Sequence, residues 1–568
     1  MFGTDPAMGN TVFSVGRARL DLVLALAATA VMAALAYALA GSPGANGIDD
    51  AAITRSYAQN IAAGHGFVYN VGGERVEGAT SLLWTLALVP LYRSGLPVEP
   101  LILGLGFTLS VIAVALALRL ARRLGAGLPP AAVTAGLLIG LAGLPGFFIW
   151  SVWSMMEIAL WTALILWLLD RLTAALEAPE PARRPDPALL AAAFLLPLTR
   201  PEGVAVATGL ALGALALRPL AWRGLAGAAL AAPLSAAVLT LGRLAYFGQP
   251  FPNTYYAKVS ADRLQNAFDG AKYLASFLFG HPFAEALVLA WLALAALAVA
   301  ALWRGRRAAA AAPGRRSLVL CATALFGLLA TYVMLGGDHF AMWRFYQPAM
   351  PLLVMPLALA VGWLAGPAPA AARRALPVLA LAVAAGWVAM NAAAFRQERF
   401  RIAWEYSLSA RGEAFGRYLN SFSPQPLLGV VAAGGIALTY EGEMRDLMGL
   451  NWVAMAHAKP IKTGMRNHAS FDPGVFWTDP PQLIAQYHKA ECQRRGWTEP
   501  AMAGATGVRQ MLRQERFRAT YLPVVMEMED GRCTTAFAER GWLAATSDPR
   551  IVPVGWDDLR LLGEGTGA

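Results

Sequence analysis

Two adjacent carboxylates, Asp49 and Asp50, follow the first long apolar stretch of the chain in the run Gly47-Ile48-Asp49-Asp50. Acids at the edge of an apolar segment are costly unless they are capped, solvated or used. One reading makes either acid the N-cap of the helix that follows, accepting its first backbone N–H groups. The other makes one of them a general base, because a hydroxyl is a poor nucleophile until a carboxylate takes its proton. A capping acid, held rigidly, can do both. Four further places carry groups of comparable promise. Glu157, in Trp153-Ser154-Met155-Met156-Glu157, opens an apolar run, where it either complements a helix dipole or serves as a second acid near a donor group or a divalent cation. In Thr199-Arg200-Pro201-Glu202-Gly203, Arg200 and Glu202 either cancel each other or leave Arg200 to grip a phosphate bidentately. In Pro252-Asn253-Thr254-Tyr255-Tyr256-Ala257-Lys258, Asn253, Tyr255, Tyr256 and Lys258 form either an aromatic belt with a snorkelling amine or a set of rings for a sugar beside a cation for phosphate. Gly336-Gly337-Asp338-His339-Phe340, followed by Trp343-Arg344-Phe345, is either an ordinary loop or a place where glycines admit a ligand close to the backbone. There Asp338 neighbours His339 and Arg344, both suited to phosphate.

The elements that must position these residues are membrane helices. Of 568 residues 57% are hydrophobic and only 14% charged, and the mean hydropathy is +0.49. A soluble domain carries about a quarter charged residues, so much of this surface must face lipid. Apolar runs near 20–40, 98–118, 131–150, 157–173, 188–199, 203–217, 224–242, 282–303, 317–335, 347–365 and 376–392 are expected spans, since a bilayer core needs about 20 apolar residues per helix. With the N-terminus inside, every inside loop is basic: Arg17 and Arg19; Arg119, Arg122 and Arg123; Arg171, Arg183 and Arg184; Arg218 and Arg223; Arg304, Arg306, Arg307, Arg315 and Arg316; Arg373 and Arg374. All five chemical runs then fall outside, as does the C-terminus. Arg17, Arg19 and the sequence Ala38-Leu39-Ala40-Gly41 also allow a cleaved signal peptide, although the stretch exceeds the usual apolar region of about 7–15 residues.

The chain therefore divides, by composition, into a transmembrane domain over 1–392 with an outside loop over 41–97, and a soluble α/β domain over 393–568. In the outside loop, Asp49–Ala63 reads as a short interfacial helix with Ile53, Tyr57 and Ile61 on one face, and Ser81–Tyr92 is too short to span. Beyond 393, Phe395–Leu419 reads as a helix stopped by Pro424 and Pro426, and Leu427–Ala432 as a strand ending at Gly434-Gly435. Cys492 and Cys533 share that compartment, which permits a disulfide. The net charge of +10 lies in inter-helix clusters, so it does not mark a nucleic-acid groove. No zinc spacing, dinucleotide fingerprint, Walker loop, metalloprotease motif or internal repeat is evident.

Taken together, these runs resemble the integral-membrane glycosyltransferases of the C superfamily. More narrowly, Asp49-Asp50-Ala-Ala-Ile-Thr54, Gly64-His65-Gly66-Phe67-Val68-Tyr69-Asn70, Glu74-Arg75-Val76-Glu77-Gly78-Ala79-Thr80-Ser81-Leu82-Leu83-Trp84, the runs at 199–203, 252–258 and 336–338, and Asp446-Leu447-Met448-Gly449-Leu450-Asn451 resemble the branch of the mycobacterial terminal arabinofuranosyltransferases and the pilin arabinofuranosyltransferases. The resemblance spans most of the chain. It departs at Ala52, where the family usually has tyrosine, and at Leu82, where it has proline.

The resemblance implies a polyprenyl-phosphate sugar donor such as decaprenylphosphoryl arabinofuranose, an inverting transfer in the plasma (inner) membrane, and a catalytic acid at Asp49 or Asp50. The acceptor is expected to be a cell-envelope glycan or glycoprotein. Arg200, His339 and Arg344, with Lys258 behind them, are expected on the departing lipid phosphate. Glu157 and Glu202 are expected to position donor, acceptor or an optional divalent cation. The outside residues suit that chemistry, since breaking a sugar–phosphate bond needs cations on the leaving group and a base on the acceptor. A mannosyl or other hexosyl transferase and a polyprenyl-lipid flippase are the alternatives. A transporter would bind near the midplane in paired broken helices, whereas these acids sit at one interface.

Overall fold

Each of the eleven apolar runs becomes helix, but they do not all become membrane-length helices. The computed structural model describes residues 6–181, 184–305, 314–366, 370–459, 461–462, 470–490, 508, 510–528 and 531–556. Arg183, Arg306, Arg307 and Cys492 lie outside the described residues. Among the described residues seven helices are long and apolar enough to cross a membrane: Ala18–Leu39, Val98–Leu124, Ile158–Glu177, Pro219–Phe247, Ala284–Arg304, Arg315–Met334 and Arg344–Leu364. An eighth crossing is formed if Pro130–Ala142 and Pro145–Trp153, bent by 74°, act as one. The remaining three expected spans differ for physical reasons. Pro187–Thr199 and Gly203–Leu217 have 13 and 15 residues, about 20 Å each at 1.5 Å per residue. The Arg200-Pro201-Glu202 turn cuts them into a helical hairpin shorter than a bilayer core. The run at 376–392 continues without a break into the expected soluble helix, giving one 50-residue helix, Ala370–Leu419. This is a multi-pass membrane protein. Large apolar side chains such as Val31 (67% exposed) and Leu297 (69%) stand out from the helices as lipid-facing residues do.

The chain forms two compact units. One holds Met1–Ala45, Glu99–Leu239 and Ala267–Ala403; the other holds Asn46–Val98, Thr240–Asn266 and Trp404–Ala568. In the first unit, helix Ile158–Glu177 packs against the 187–217 hairpin and against Arg315–Met334. The helix ends that carry the expected inside arginines are tied to one another. Arg119 and Arg123 flank the buried Asp170 at 3.1 and 3.2 Å, and Arg122 pairs with Asp21. Arg171 meets Asp186 at 2.6 Å, and Arg218 donates to the carbonyls of Ala175 and Ala178. Those carbonyls close helix Ile158–Glu177, where cations are favoured.

The second unit is built on a six-stranded mixed sheet. Its strands are β1 Leu428–Val430, β2 Met444–Asp446, β3 Leu483–Ala490, β4 Tyr521–Glu527, β5 Cys533–Glu539 and β6 Ile551–Pro553. They run in the order β2-β1-β3-β5-β4-β6. β1 is parallel to β2 and β3, whereas the β3/β5, β4/β5 and β4/β6 pairs are antiparallel. Side chains alternate between the faces. Leu428, Val430, Leu483, Val524 and Ala536 share one core with Ile53, Tyr57, Phe67 and Tyr69 of the segment after the first long helix and Phe415 and Tyr418 of the 50-residue helix. Ile484, Val525 and Phe537 face a second core around Phe476 and Phe517. Helix Asp49–Ala62 is thus mostly buried: its expected apolar face at Ile53 and Tyr57 covers the sheet's core. Cys533 is disulfide-bonded and Cys321 is free.

Polar residues pin these segments together. Arg243 makes a bidentate bond to Glu77 at 2.7 and 2.8 Å, with both side chains at most 6% exposed. Asn70 exchanges two bonds with the backbone of Met444, and the hydroxyl of Tyr69 donates to the carbonyl of Ala433 at 2.6 Å. Removing one partner of a buried pair strands a charge and costs about 3–5 kcal/mol, while replacing both by apolar residues is often nearly neutral. Arg243→Ala is therefore expected to lower the unfolding midpoint of the purified protein strongly, with Glu77→Leu/Arg243→Met recovering most of the loss. A wild-type midpoint for Arg243→Ala would contradict the role given to this pair.

Candidate active site

Asp49 does not cap its own helix. Ile48 is the N-cap residue and makes no side-chain bond, while the Asp49 carboxylate accepts the backbone N–H groups of Gly434 at 3.0 Å and Gly435 at 2.8 Å. Both glycines are needed. A Cβ on Gly434 would fall 1.7 Å from the carbonyl oxygen of Asp49, and one on Gly435 would fall 2.1 Å from that of Ser409. The pair opens the short helical turn Gly435–Leu438 in the loop after β1, and only its lack of side chains lets the loop reach the acid. Asp49 is 7% exposed. Burial raises its pKa to about 6 against the two N–H bonds that lower it, and the charges of Asp50 and Asp446 push the same way as burial. Asp50 is half-buried beside it.

A second buried acid organises the same unit. Asp446, at the end of β2, accepts the backbone N–H groups of Met448 and Asn451 and the Asn451 amide, each at 2.9 Å. Burial lifts its pKa to about 6 as well. Asn451 accepts the Tyr57 hydroxyl at 3.0 Å, and that oxygen accepts Gly78 N–H at 3.0 Å. Asn253 joins this scaffold: its amide donates to the carbonyls of Gly449 and Leu450 at 2.8 and 3.0 Å, and its backbone N–H donates to that of Glu77. Its neighbours form a more open face. Tyr256 stacks on His457 at 4.1 Å, Tyr255 accepts from Arg263 at 2.5 Å, and Phe251, 47% exposed, lies against Tyr255. Lys258 ends that short helix, half-buried.

The first unit gathers the other expected residues into one cluster. Glu157 precedes helix Ile158–Glu177. Arg200 bonds Glu157 at 2.5 Å and Glu202 at 2.6 Å, so the pairing foreseen within the turn is present and Glu157 joins it. Arg344 bonds Asp338 at 2.7 Å, and Asp338 also accepts the backbone N–H of His339 at 2.9 Å. The two guanidiniums lie against the same ring, Phe345, at 5.1 and 5.2 Å, and Arg344 sits 3.8 Å from the centroid of Phe340. Three carboxylates thus face two guanidiniums. Arg200 offers fixed N–H donors rather than surplus charge, since it commits two of its five N–H groups to glutamate. Among the described residues no three His, Cys, Asp or Glu side chains are grouped so as to hold a metal ion.

Local backbone strain concentrates here. Met155, Met342 and Trp343 have φ of 62, 57 and 48°, each costing about 1–3 kcal/mol for a residue with a side chain. The segment leading to Glu157 contains a π-helical turn, Ile149–Trp153, a distortion frequent at functional sites. None of this is visible in residue spacing.

No protein-family model matches the chain, and no match is found among curated proteins. Among solved structures, the crystal structure of ArnT from Cupriavidus metallidurans bound to undecaprenyl phosphate matches 92% of this chain and 98% of that one, at 14% identity and a TM-score of 0.47.

The two raised carboxyls make a pH prediction. Each binds its proton more tightly in the folded chain, from an ordinary value of 3.8 to about 6. Their contribution to stability is therefore complete below about pH 4 and is lost as the pH rises through about 6. The unfolding midpoint should fall across that window in the wild type and fall less steeply in Asp49→Asn. Superimposable slopes would show that Asp49 does not titrate there.

Proposed function

We propose that this protein is a membrane glycosyltransferase of the C superfamily, moving a sugar from a polyprenyl-phosphate donor to a hydroxyl of a cell-envelope glycan or glycoprotein. The reaction is assigned to the non-cytoplasmic side of the plasma (inner) membrane. The observation that carries this reading is Asp49: a carboxyl buried at the head of a helix, locked by two backbone N–H groups, with its pKa near 6. A base of that strength works efficiently near neutral pH. D-arabinofuranose is the sugar favoured by the motif resemblance.

Asp49 takes the acceptor's hydroxyl proton while the acceptor oxygen attacks C1 of the sugar. The bond from C1 to the phosphate oxygen breaks, and the lipid phosphate leaves with its electrons, so C1 is inverted. Burial, and to a lesser extent the charge of Asp50, keep the pKa of Asp49 high. Arg200, fixed by Glu157 and Glu202, receives the phosphate through its other N–H groups, and the Arg344 guanidinium, held by Asp338, adds its positive charge, with His339 and Lys258 as further donors. Glu157, Glu202 and Asp338 hold those guanidiniums in place. Tyr255 and Tyr256 offer ring faces to acceptor sugars.

Transfer from decaprenylphosphoryl arabinofuranose should fall at least about 100-fold in kcat for Asp49→Asn, within the range for losing a general base. Asp50→Asn should lose far less. Full activity in Asp49→Asn would remove the proposed base. Lipid movement without bond cleavage would point instead to a flippase.

A further inference from the structure

The strained turn that places Arg344 also opens a pocket on its other side. Trp343 lines a cleft within the first unit, together with His281, Gln347, Asn391, Gln397 and Glu398. The cleft has a cavity volume of about 70 Å³ and is open to solvent on one side. Three of these polar residues are buried: Gln347 is 1% exposed, Asn391 2% and His281 4%. The amide N–H of Gln347 goes to the Met342 carbonyl, that of Asn391 to the Trp387 carbonyl at 2.9 Å, and His281 Nδ1 lies 3.1 Å from the Pro282 carbonyl. What these side chains still offer is therefore acceptors: two amide oxygens and the imidazole Nε2. Burial keeps His281 neutral by lowering its pKa to about 4. Trp343 is anchored through its indole N–H to Ser276 at 3.0 Å. It lies so close to Gly280 that a Cβ there would fall 2.8 Å from the ring.

This chemistry selects its ligand. No lysine or arginine lines the pocket, so it has nothing for a phosphate. Buried acceptors left unmatched are costly, which disfavours a purely apolar occupant. Hydroxyl groups satisfy them, and an indole face suits the C–H surface of a sugar ring. We propose that this pocket is the subsite for the donor's sugar ring, a neutral polyol, an inference that rests on the donor reading above. The Met342-Trp343-Arg344 turn then divides the donor between adjacent residues, with the ring on Trp343 and the phosphate on Arg344. Buried hydrogen-bond acceptors also give the pocket its selectivity, since a ligand lacking a matching hydroxyl leaves one unpaired.

The test uses the full chain in lipid nanodiscs and three probes: decaprenylphosphoryl arabinofuranose, bare decaprenyl phosphate, and methyl α-D-arabinofuranoside. Asn391→Leu and Gln347→Leu remove an acceptor at similar volume; Gln397→Leu, on an exposed side chain, serves if both fail to fold. The variants should weaken the sugar-bearing lipid by at least about 10-fold, the effect of one lost hydrogen bond of about 1.4 kcal/mol, and leave bare decaprenyl phosphate within about twofold. Equal weakening of both lipids, or of neither, overturns the subsite. Wild-type protein that binds neither lipid defeats the donor reading instead. The methyl glycoside then decides the pocket: saturation transfer from the wild type that is lost in the variants supports it, and no transfer overturns it.

Discussion

One carboxylate bonded to two consecutive backbone N–H groups organises the proposed chemistry. Asp49 opens the helix Asp49–Ala62, and Gly434 and Gly435 belong to the loop after β1, 385 residues further along the sequence. That contact seats helix Asp49–Ala62 on the sheet core through Ile53 and Tyr57. The packing around it removes the acid from water, and this burial raises its pKa although the two N–H bonds themselves lower it. A carboxylate free in a loop would remain a weak base near 4. The contact therefore supplies the position of the base, and the burial around it supplies the strength.

The first unit solves a different problem. Charged groups near a membrane must be neutralised, and Glu157, Arg200, Glu202, Asp338 and Arg344 neutralise one another within a shell of aromatic rings. The arginines lose mobility and hold their guanidiniums in fixed directions. Preorganised donors of this kind stabilise a charge that develops during reaction, without the cost of reorganising at that moment. Backbone strain at Met155, Met342 and Trp343 is tolerated because dense packing around the cluster over-determines it.

Much of this was legible in the residues. Apolar run length located the long apolar helices, because a helix in lipid must satisfy its backbone internally, but it passed over the more polar helix Arg263–Gly280. The Arg200–Glu202 pair was one of two readings that their spacing allowed, and the structure adds Glu157 as a third member. Local pattern could not reveal contacts between distant segments. Gly434-Gly435 read only as the end of a strand, and nothing nearby signals that its N–H groups meet an acid near residue 50. Asn253 looked like a ligand-binding amide, yet both its amide bonds go to the Gly449–Leu450 backbone. Asp446 and Asn451 carried a motif without a role; their role is to orient Tyr57. The polar pocket at Trp343 was missed because its residues come from four separate stretches between 143 and 398.

The central claim is that a sugar leaves a lipid phosphate for an acceptor hydroxyl within this protein. The stoichiometry of the wild-type reaction, measured with doubly labelled decaprenylphosphoryl arabinofuranose and an arabinan acceptor, tests it most directly. One mole of decaprenyl phosphate should appear for each mole of new glycosidic bond, with inverted configuration at C1. Intact donor accumulating in the opposite leaflet, or no bond cleavage by folded protein, would contradict it.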